Sequence, residues 1–581
     1  MKFEEILTHL GEFGRYQKIQ YLLICLIAMP CAYISLQNSF LSASTDHYCR
    51  VNDTQTYQET SPFKNFTIPY QVDDQGMIVW SKCERYNVTG LEYTPDGFAA
   101  RQQKLECDNG WVYDTTTYEN TVVQETAKVT VKSVFHFLLI DLVCDKDWQK
   151  QLSKSIILVG KLIGSLVLGQ ASDRFGRKPT FICALVLTLV SGVGTAFSPN
   201  YIVFAIGQFL LGFGEVGLFS VGFVIGVELV GPSWRVFTGI VIEVFFAIGY
   251  MLLAVVAWAF QTKWRYVQMI SALILVPFLP YIWLLPESIR WLVQQRKYGK
   301  ARKLLQKAAK MNKATLPENL FDEEEETKSK DVDEETQKRS FIDLFKTPTL
   351  RIRTLNIFFN WFSNSLVYFG LSFNTDNLGE NDYVNFFISG AVEVPAYLSC
   401  LILLKFVGRR PILCVYMLIG GLALLASLPF QSDPSLEWLV VTLAMTGKFC
   451  IAASYALIYF YAAEIFPTPI RNVGMGGSSM SARIGGIISP YIMLLGEYVW
   501  EPLPFIIFGF LSILAGLLAL FLPETRNKAL PETIEEGETF GKGNVDKSGA
   551  RNTVNVELDD VSPSNNVMTS MDSKEQLADS F

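Results

Sequence analysis

Six ionisable side chains fall inside apolar stretches long enough to be buried in a membrane: Lys161, Glu215, Glu243, Glu393, Lys448 and Arg483. A charge at the bilayer centre costs roughly 2.5–3.5 kcal/mol on insertion scales, so each needs a partner or a purpose. Arg483 stands among Ala482, Gly485 and Gly486. Those small neighbours leave room for a ligand against a planar, permanently charged fork that suits carboxylates. Glu393 precedes Pro395 by two residues and can face an ammonium group, while Lys448 can join a substrate site or neutralise a glutamate. Pairing among the six is the plain structural alternative. The stretch from Phe358 to Phe369 carries Trp361 and Tyr368, two helical turns apart and therefore on one face. Aromatic faces attract quaternary ammonium groups by about 0.5–2 kcal/mol each. Ordinary packing competes with that role, but Asn360 and Asn364 in the same stretch argue against a lipid-facing helix. A carboxylate on Arg483 with an ammonium among Trp361, Tyr368 and Glu393 makes a coherent zwitterion site.

A second set of charges recurs in matched places. Gly169 to Pro179, containing Asp173, Gly176, Arg177 and Lys178, joins two apolar stretches, and Lys405 to Pro411, with Gly408, Arg409 and Arg410, does the same later. Glu228 with Arg235 recurs as Glu464 with Arg471, and Leu285-Pro-Glu-Ser288 as Leu522-Pro-Glu-Thr525. These are two parallel repeats, related by an axis along the membrane normal, with a substrate site expected between them. Asp173, Arg177, Glu228, Arg235, Glu464 and Arg471 at the inner helix ends are expected to form a cytosolic gate, pairing across the halves when the inside closes. Positive-inside anchoring would account for the arginines but not for Glu228 and Glu464.

Other chemistries find no support. The three histidines, at 9, 47 and 136, are too scattered for a metal or catalytic cluster. No Ser, Cys or carboxylate constellation suggests hydrolysis, so neither an enzyme nor a cofactor is expected. Gly226 to Ser233 approaches a phosphate-binding loop, but Pro232 replaces the essential Lys and no strand precedes it. Nucleic acid is not an expected partner, because no basic patch with interleaved aromatics occurs.

The elements that position these residues follow from hydropathy. Charged residues make up only 18% of the 581, against about 25% in soluble domains, so the bilayer is the expected surroundings. A core about 30 Å thick needs about 20 apolar residues in helix. Twelve stretches fit: 19–41, 152–171, 179–198, 201–229, 237–260, 265–285, 352–372, 384–406, 411–430, 437–462, 474–496 and 503–522. The fold class is an all-α membrane protein of twelve helices in two six-helix repeats. Short loops on one side carry Arg174, Arg177, Lys178, Arg235, Lys405, Arg409, Arg410 and Arg471, and those on the other only Lys263 and Arg265. Both termini and the 286–351 segment are therefore expected in the cytosol. The 42–147 loop holds the Asn-x-Thr sequons at Asn52, Asn65 and Asn87. It also holds Cys49, Cys83, Cys107 and Cys144, an even number that suggests two disulfides in one of three pairings. That loop is expected to be a glycosylated, disulfide-bonded extracellular cap. The resulting layout is an N-terminal segment 1–18, a half 19–285 containing the cap, a linker 286–351 with amphipathic helices and an acidic run, a half 352–522, and a disordered tail 523–581.

The cap carries a resemblance. Thr45 to Arg50, Cys107-Asp-Asn-Gly-Trp111 and Leu142 to Trp148 resemble the extracellular-loop hallmarks of the organic cation, anion and zwitterion transporters of the major facilitator superfamily. Ser172 to Lys178, Pro286 to Leu292 and Ala463 to Pro467 extend the match and are partly shared with sugar porters. Glu393-Val-Pro-Ala-Tyr397 and Arg471 to Arg483 look most like the carnitine and cation branch. Typical cation carriers of that family have Asp where Arg483 stands, and anion carriers often have Lys where Tyr397 stands. Arg483 without that Lys fits a reader of zwitterions. The resemblance implies a plasma-membrane carrier of small organic ions such as carnitine, working by alternating access, with Tyr397 beside Glu393 in the site. An organic anion carrier, or a non-transporting receptor on the same fold, are the rival functions. The terminal Asp579-Ser580-Phe581 can add as a strand to a scaffold domain.

Overall fold

The computed structural model describes residues 3–43, 45–51, 55–58, 62–72, 78–88, 103–124, 142–260, 263–316, 341–375, 381–431 and 433–541. The sequon at Asn52, the acidic run and the C-terminal tripeptide lie outside them. Each of the twelve apolar stretches coincides with helix. We number these helices α1 (Arg15–Leu41), α2 (Asp147–Phe175), α3 (Arg177–Ala196), α4 (Tyr201–Leu229), α5 (Arg235–Ala259), α6 (Trp264–Leu284), α7 (Pro348–Phe373), α8 (Asp382–Phe406), α9 (Arg409–Phe430), α10 (Glu437–Ile465), α11 (Arg471–Tyr498) and α12 (Leu503–Ala519). Among the described residues nine are long and apolar enough to cross a membrane. The others depart for physical reasons. Helices α7 and α11 carry the Asn, Arg, Ser and Gly residues that face other helices, and α12 is short at 17 residues.

Two large hydrophobic cores follow the repeat. One gathers α1 to α6 around Ile24, Phe181, Phe204 and Trp264, and the other gathers α7 to α12 around Trp361, Met417, Tyr461 and Phe508. Between them α5 meets α8 and α2 meets α11. At the end nearest the cap, the Ser155 hydroxyl donates to the Ile487 carbonyl (2.9 Å) and Tyr250 to Ser389 (3.0 Å). Lys154 there donates to the Phe373 carbonyl (3.4 Å). At the opposite end Phe223 approaches Tyr459, ring centroids 6.5 Å apart.

The cap is built from three two-stranded antiparallel ribbons. Strand β1 (His47–Cys49) pairs with β6 (Trp111–Tyr113), β2 (Tyr70–Val72) with β3 (Ile78–Trp80), and β4 (Glu84–Tyr86) with β5 (Lys104–Glu106). Strands this short are not stable alone, so cross-links and a small core hold them. Of the three pairings open to the cysteines, the structure has Cys49–Cys107 and Cys83–Cys144. The second ties the ribbons to the start of α2. Tyr48, Cys49, Ile68 and Val112 form the core. The Lys64 ammonium lies over the rings of Tyr48, Tyr57 and Trp80, at 4.9, 5.8 and 5.2 Å. Asn65 is exposed on a short helix and Asn87 is half-buried beside β4. Residues 117–124 strap the cap to both halves. Trp264 N–H donates to Asn120 O (3.1 Å), Tyr118 donates to Asp382 at the start of α8, and Tyr383 donates to Thr117 O (2.9 Å).

The flanking segments are folded as well. The basic stretch after Arg290 forms the helix Tyr298–Asn312, which buries Ala301, Leu305, Ala308 and Ala309 against Ile6, Leu10, Tyr16 and Trp291. Its apolar face thus packs on the N-terminal segment and on Trp291. The tail expected to be disordered from 523 is folded as far as 541. Its helix Ile534–Thr539 places the Glu538 carboxylate at the N-terminus of α7, accepting from Thr349 N (2.9 Å) and Leu350 N (3.1 Å). Arg353 returns two bonds, to Gly537 O (2.7 Å) and Phe540 O (2.5 Å).

Candidate functional site

The charges at membrane depth sort into two pairs and two singles. In the first half, Lys161 Nζ on α2 lies 2.8 Å from a Glu215 oxygen on α4 and donates to Ser35 Oγ (2.5 Å). In the second, Lys448 on α10 lies 3.0 Å from Glu393 on α8, with 1% and 0% of the two side chains exposed. Lys448 also donates to Ser372 Oγ (2.5 Å), and its ammonium sits 3.4 Å from the centre of the Tyr368 ring and 5.4 Å from that of Tyr250. Tyr397 donates to the other Glu393 oxygen (3.0 Å). The Tyr368 face and the Glu393 carboxylate, expected to receive a substrate ammonium, therefore already hold the ammonium of the protein's own Lys448. The cause is local: α8 and α10 pack directly, so neither charge can reach solvent alone.

Arg483 is different. Among the described residues its guanidinium donates only to Ser479 one turn back, through the carbonyl (2.9 Å) and the hydroxyl, and Nε has no partner. No carboxylate lies within ion-pair range of it among the described residues. Helix α11 approaches α7 closely because position 485 is glycine; a Cβ there would sit 2.4 Å from the Phe362 carbonyl oxygen. Beside it stands an aromatic cluster. Trp361 is fully buried, its ring 4.3 Å from Tyr459 and 6.2 Å from Tyr455, and Tyr368 is 5.7 Å from Tyr455. Among the described residues the Trp361 indole N–H and the Tyr368 hydroxyl have no hydrogen-bond partner. A buried aromatic wall with orphaned donors beside an unpaired guanidinium can hold a small organic ion by cation–π contact and a charge-assisted bond.

Against known proteins, the model of the family described as "Sugar (and other) transporter" matches residues 102–536. The organic cation transporter protein of Drosophila melanogaster is 43% identical over 93% of this chain and 95% of that relative. The chain belongs to the organic cation transporter family of the major facilitator superfamily. The human organic cation/carnitine transporter 2 is 34% identical over 92% of this chain and 93% of its own. In fold the transporter is similar to the inward open conformation of the xylose transporter XylE from E. coli, with TM-score 0.56, 16% identity, and 90% and 99% of the two chains covered. As a multi-pass membrane transporter it is no enzyme.

The transporter's repeated charges bracket each half separately. Arg177 bonds Asp173 (2.7 Å) and Glu228 (3.3 Å), and Ser288 Oγ donates to Glu228 (2.5 Å). In the second half Arg409 bonds Glu464 (3.2 Å), and Thr525 donates to the same carboxylate. Glu287 accepts from Arg177 N (2.8 Å) and Lys178 N (3.2 Å), capping α3, and Glu524 does the same for α9 through Arg409 N (2.9 Å) and Arg410 N (3.2 Å). Gly176, with φ +117°, turns the chain tightly enough for that cap. In this structure Arg177 and Glu228, and Arg409 and Glu464, pair within their own halves, because the two-helix turn sets each Arg directly over the end of α4 or α10. Arg471 likewise donates to Phe466 O (3.1 Å) of its own half, and Arg235 opens α5.

Sequence reasoning missed Tyr455 and Tyr459, which complete the aromatic wall. Helix α10 is apolar almost all round, so their spacing of four marks no face. It also missed Glu287 and Glu524 as caps, although their repeat was visible.

Proposed function

We propose that the protein is a plasma-membrane carrier of small organic zwitterions and cations, carnitine-like in chemistry, working by alternating access. The observation that carries this reading is Arg483, a permanent cation at mid-helix without a protein counter-ion, beside the Trp361, Tyr455 and Tyr459 rings. A substrate carboxylate would meet the guanidinium while its ammonium lay against the aromatic faces. Glu393, Lys448, Tyr397 and Tyr368 would shape the site as a neutral, hydrogen-bonded wall. The family relative named for organic cations and carnitine supports the substrate class.

The cap would face the exterior, with Asn65 and Asn87 as glycan acceptors, and both termini would lie in the cytosol, as the basic short loops dictate. The Arg177–Glu228–Ser288 and Arg409–Glu464–Thr525 brackets would make the inner end of each half rigid. Arg235 and Arg471, at the starts of α5 and α11, would then come together with the opposing half as the inside closes. Uptake of labelled carnitine into expressing cells, with and without sodium, tests the reading in wild type and Arg483→Ala. Saturable uptake lost in the variant supports it. Tetraethylammonium entering both equally, with no carnitine uptake in either, makes Arg483 structural and the zwitterion assignment wrong.

A further inference from the structure

The internal pairing of Lys448 with Glu393 leaves a question of charge balance. A cationic group entering beside Trp361 needs an anion, and the nearest carboxylate of the second half is already neutralised at 3.0 Å. One carboxylate at membrane depth has no ion-pair or hydrogen-bond partner among the described residues: Glu243 of α5, half-buried near the middle of its helix.

Its neighbours on the helix show which way it faces. Gly239, one turn before it, packs against the Phe460 ring of α10, where a Cβ would sit 2.2 Å from the ring edge. Tyr250, two turns after it, donates to Ser389 of α8 (3.0 Å) and lies under the Lys448 ammonium. Residues four and seven apart share a helix face, so Glu243 lies on the face of α5 that meets the second half. Ala247, one turn after it, and Ile240 belong to the hydrophobic core of the second half, the core that contains Trp361 and Tyr397. Arg483 stands on α11 two residues before Gly485, where that helix meets the Phe362 carbonyl of α7 next to Trp361. Its own helix faces the first half, since Ile487, one turn on, accepts from Ser155 of α2 (2.9 Å). Glu243 and Arg483 form no ion pair with each other. Two opposite charges, one from each half and neither ion-paired among the described residues, thus border the aromatic core of the second half.

We propose that Glu243 is the counter-charge for the substrate's cationic group and that Glu243 and Arg483 are the two poles of one bipolar site, an assignment that rests on the zwitterion reading above. A bare carboxylate and a bare guanidinium resist withdrawal from water. A ligand carrying both charges satisfies both at once and draws the halves together around it. A simple cation satisfies Glu243 alone. The protein therefore selects small molecules with a cationic head and a carboxylate on a short linker, and accepts simple cations less well.

The test measures initial uptake of labelled carnitine and of labelled tetraethylammonium, normalised to surface protein, in four forms. These are wild type, Glu243→Gln, Glu243→Asp and the double variant Glu393→Gln/Lys448→Met. Glu243→Gln is expected to raise KM for both probes about tenfold, equivalent to about 1.4 kcal/mol. Glu243→Asp should raise it less, and Glu243→Gln should raise both KM values more than the double variant does. Unchanged KM values in Glu243→Gln with raised values in the double variant overturn the assignment and return the role to Glu393. Should Glu243→Gln not reach the surface, Glu243→Ala carries the test, and wild-type KM values there overturn it. Failure of the underlying reading looks different: carnitine uptake is then unchanged in Arg483→Ala, or wild type takes up neither probe, and in the latter case both proposals fall. The Glu243 assignment alone is decided by tetraethylammonium, which has no carboxylate.

Discussion

Replacing Lys448 by Met leaves the Glu393 carboxylate fully buried, with only the Tyr397 hydroxyl bound to it. At 3.0 Å and an effective dielectric near 20, the lost attraction is about 5–6 kcal/mol. The desolvation that offsets it in the intact pair persists for the orphaned carboxylate. Breaking a buried pair from one side typically costs about 3–5 kcal/mol, whereas replacing both partners by neutral groups is often nearly neutral. The expected order of stability is therefore wild type close to Glu393→Gln/Lys448→Met, with Lys448→Met alone well below both. Glu393→Gln alone should lie between, because a buried lysine can shed its proton. Denaturant unfolding of purified protein in mild detergent gives the four corners of a double-mutant cycle. A coupling energy below about 1 kcal/mol, or a double variant no more stable than Lys448→Met, would refute the view of this pair as a self-neutralised wall.

The helix caps at Glu287 and Glu524 should behave alike, since each accepts two backbone N–H bonds. Glu287→Ala and Glu524→Ala are each expected to cost about 1–2 kcal/mol in the same unfolding assay. Cys83→Ser/Cys144→Ser opens a cross-link between residues 61 apart, worth up to about 4 kcal/mol by loop entropy; cap-sensitive proteolysis at the cell surface should rise accordingly. Glu538 is mildly desolvated, which pushes its carboxyl up, but bonds from Thr349 and the Leu350 amide outweigh this and hold it at about 2. Its folded pKa lies below the unfolded value of about 4.5, so its docking contribution is full above that value and is lost as pH falls toward 2. An acid titration of a probe on helix Ile534–Thr539 should show that release, and Glu538→Gln should abolish the titration.

The helices were legible in the sequence because a bilayer demands long apolar runs, and even the polar α7 and α11 kept enough of that signal. Their ends were less so: α2 begins at Asp147, five residues before the apolar run at 152, because hydropathy cannot see a helix that starts in polar residues. The repeat was visible in Arg177 and Arg409, in Glu228 and Glu464, and in Glu287 and Glu524. Its geometry was not, since a sequence cannot tell a contact within a half from one across halves. The same limit hid the partner of Glu393. Six buried charges admit several pairings, and only the packing of α8 on α10 selects Lys448 and leaves Glu243 and Arg483 over. Tyr118, from a loop with no periodicity, gave no hint that it reaches Asp382.

A carrier that exposes one site alternately to each side of the membrane exchanges its substrate across it. Purified protein in liposomes preloaded with unlabelled carnitine should accumulate labelled carnitine transiently above its equilibrium level, and liposomes without the inner load should not. Labelled carnitine that binds the protein saturably but never enters, with no stimulation by the inner load, would contradict the carrier role and leave a receptor in its place.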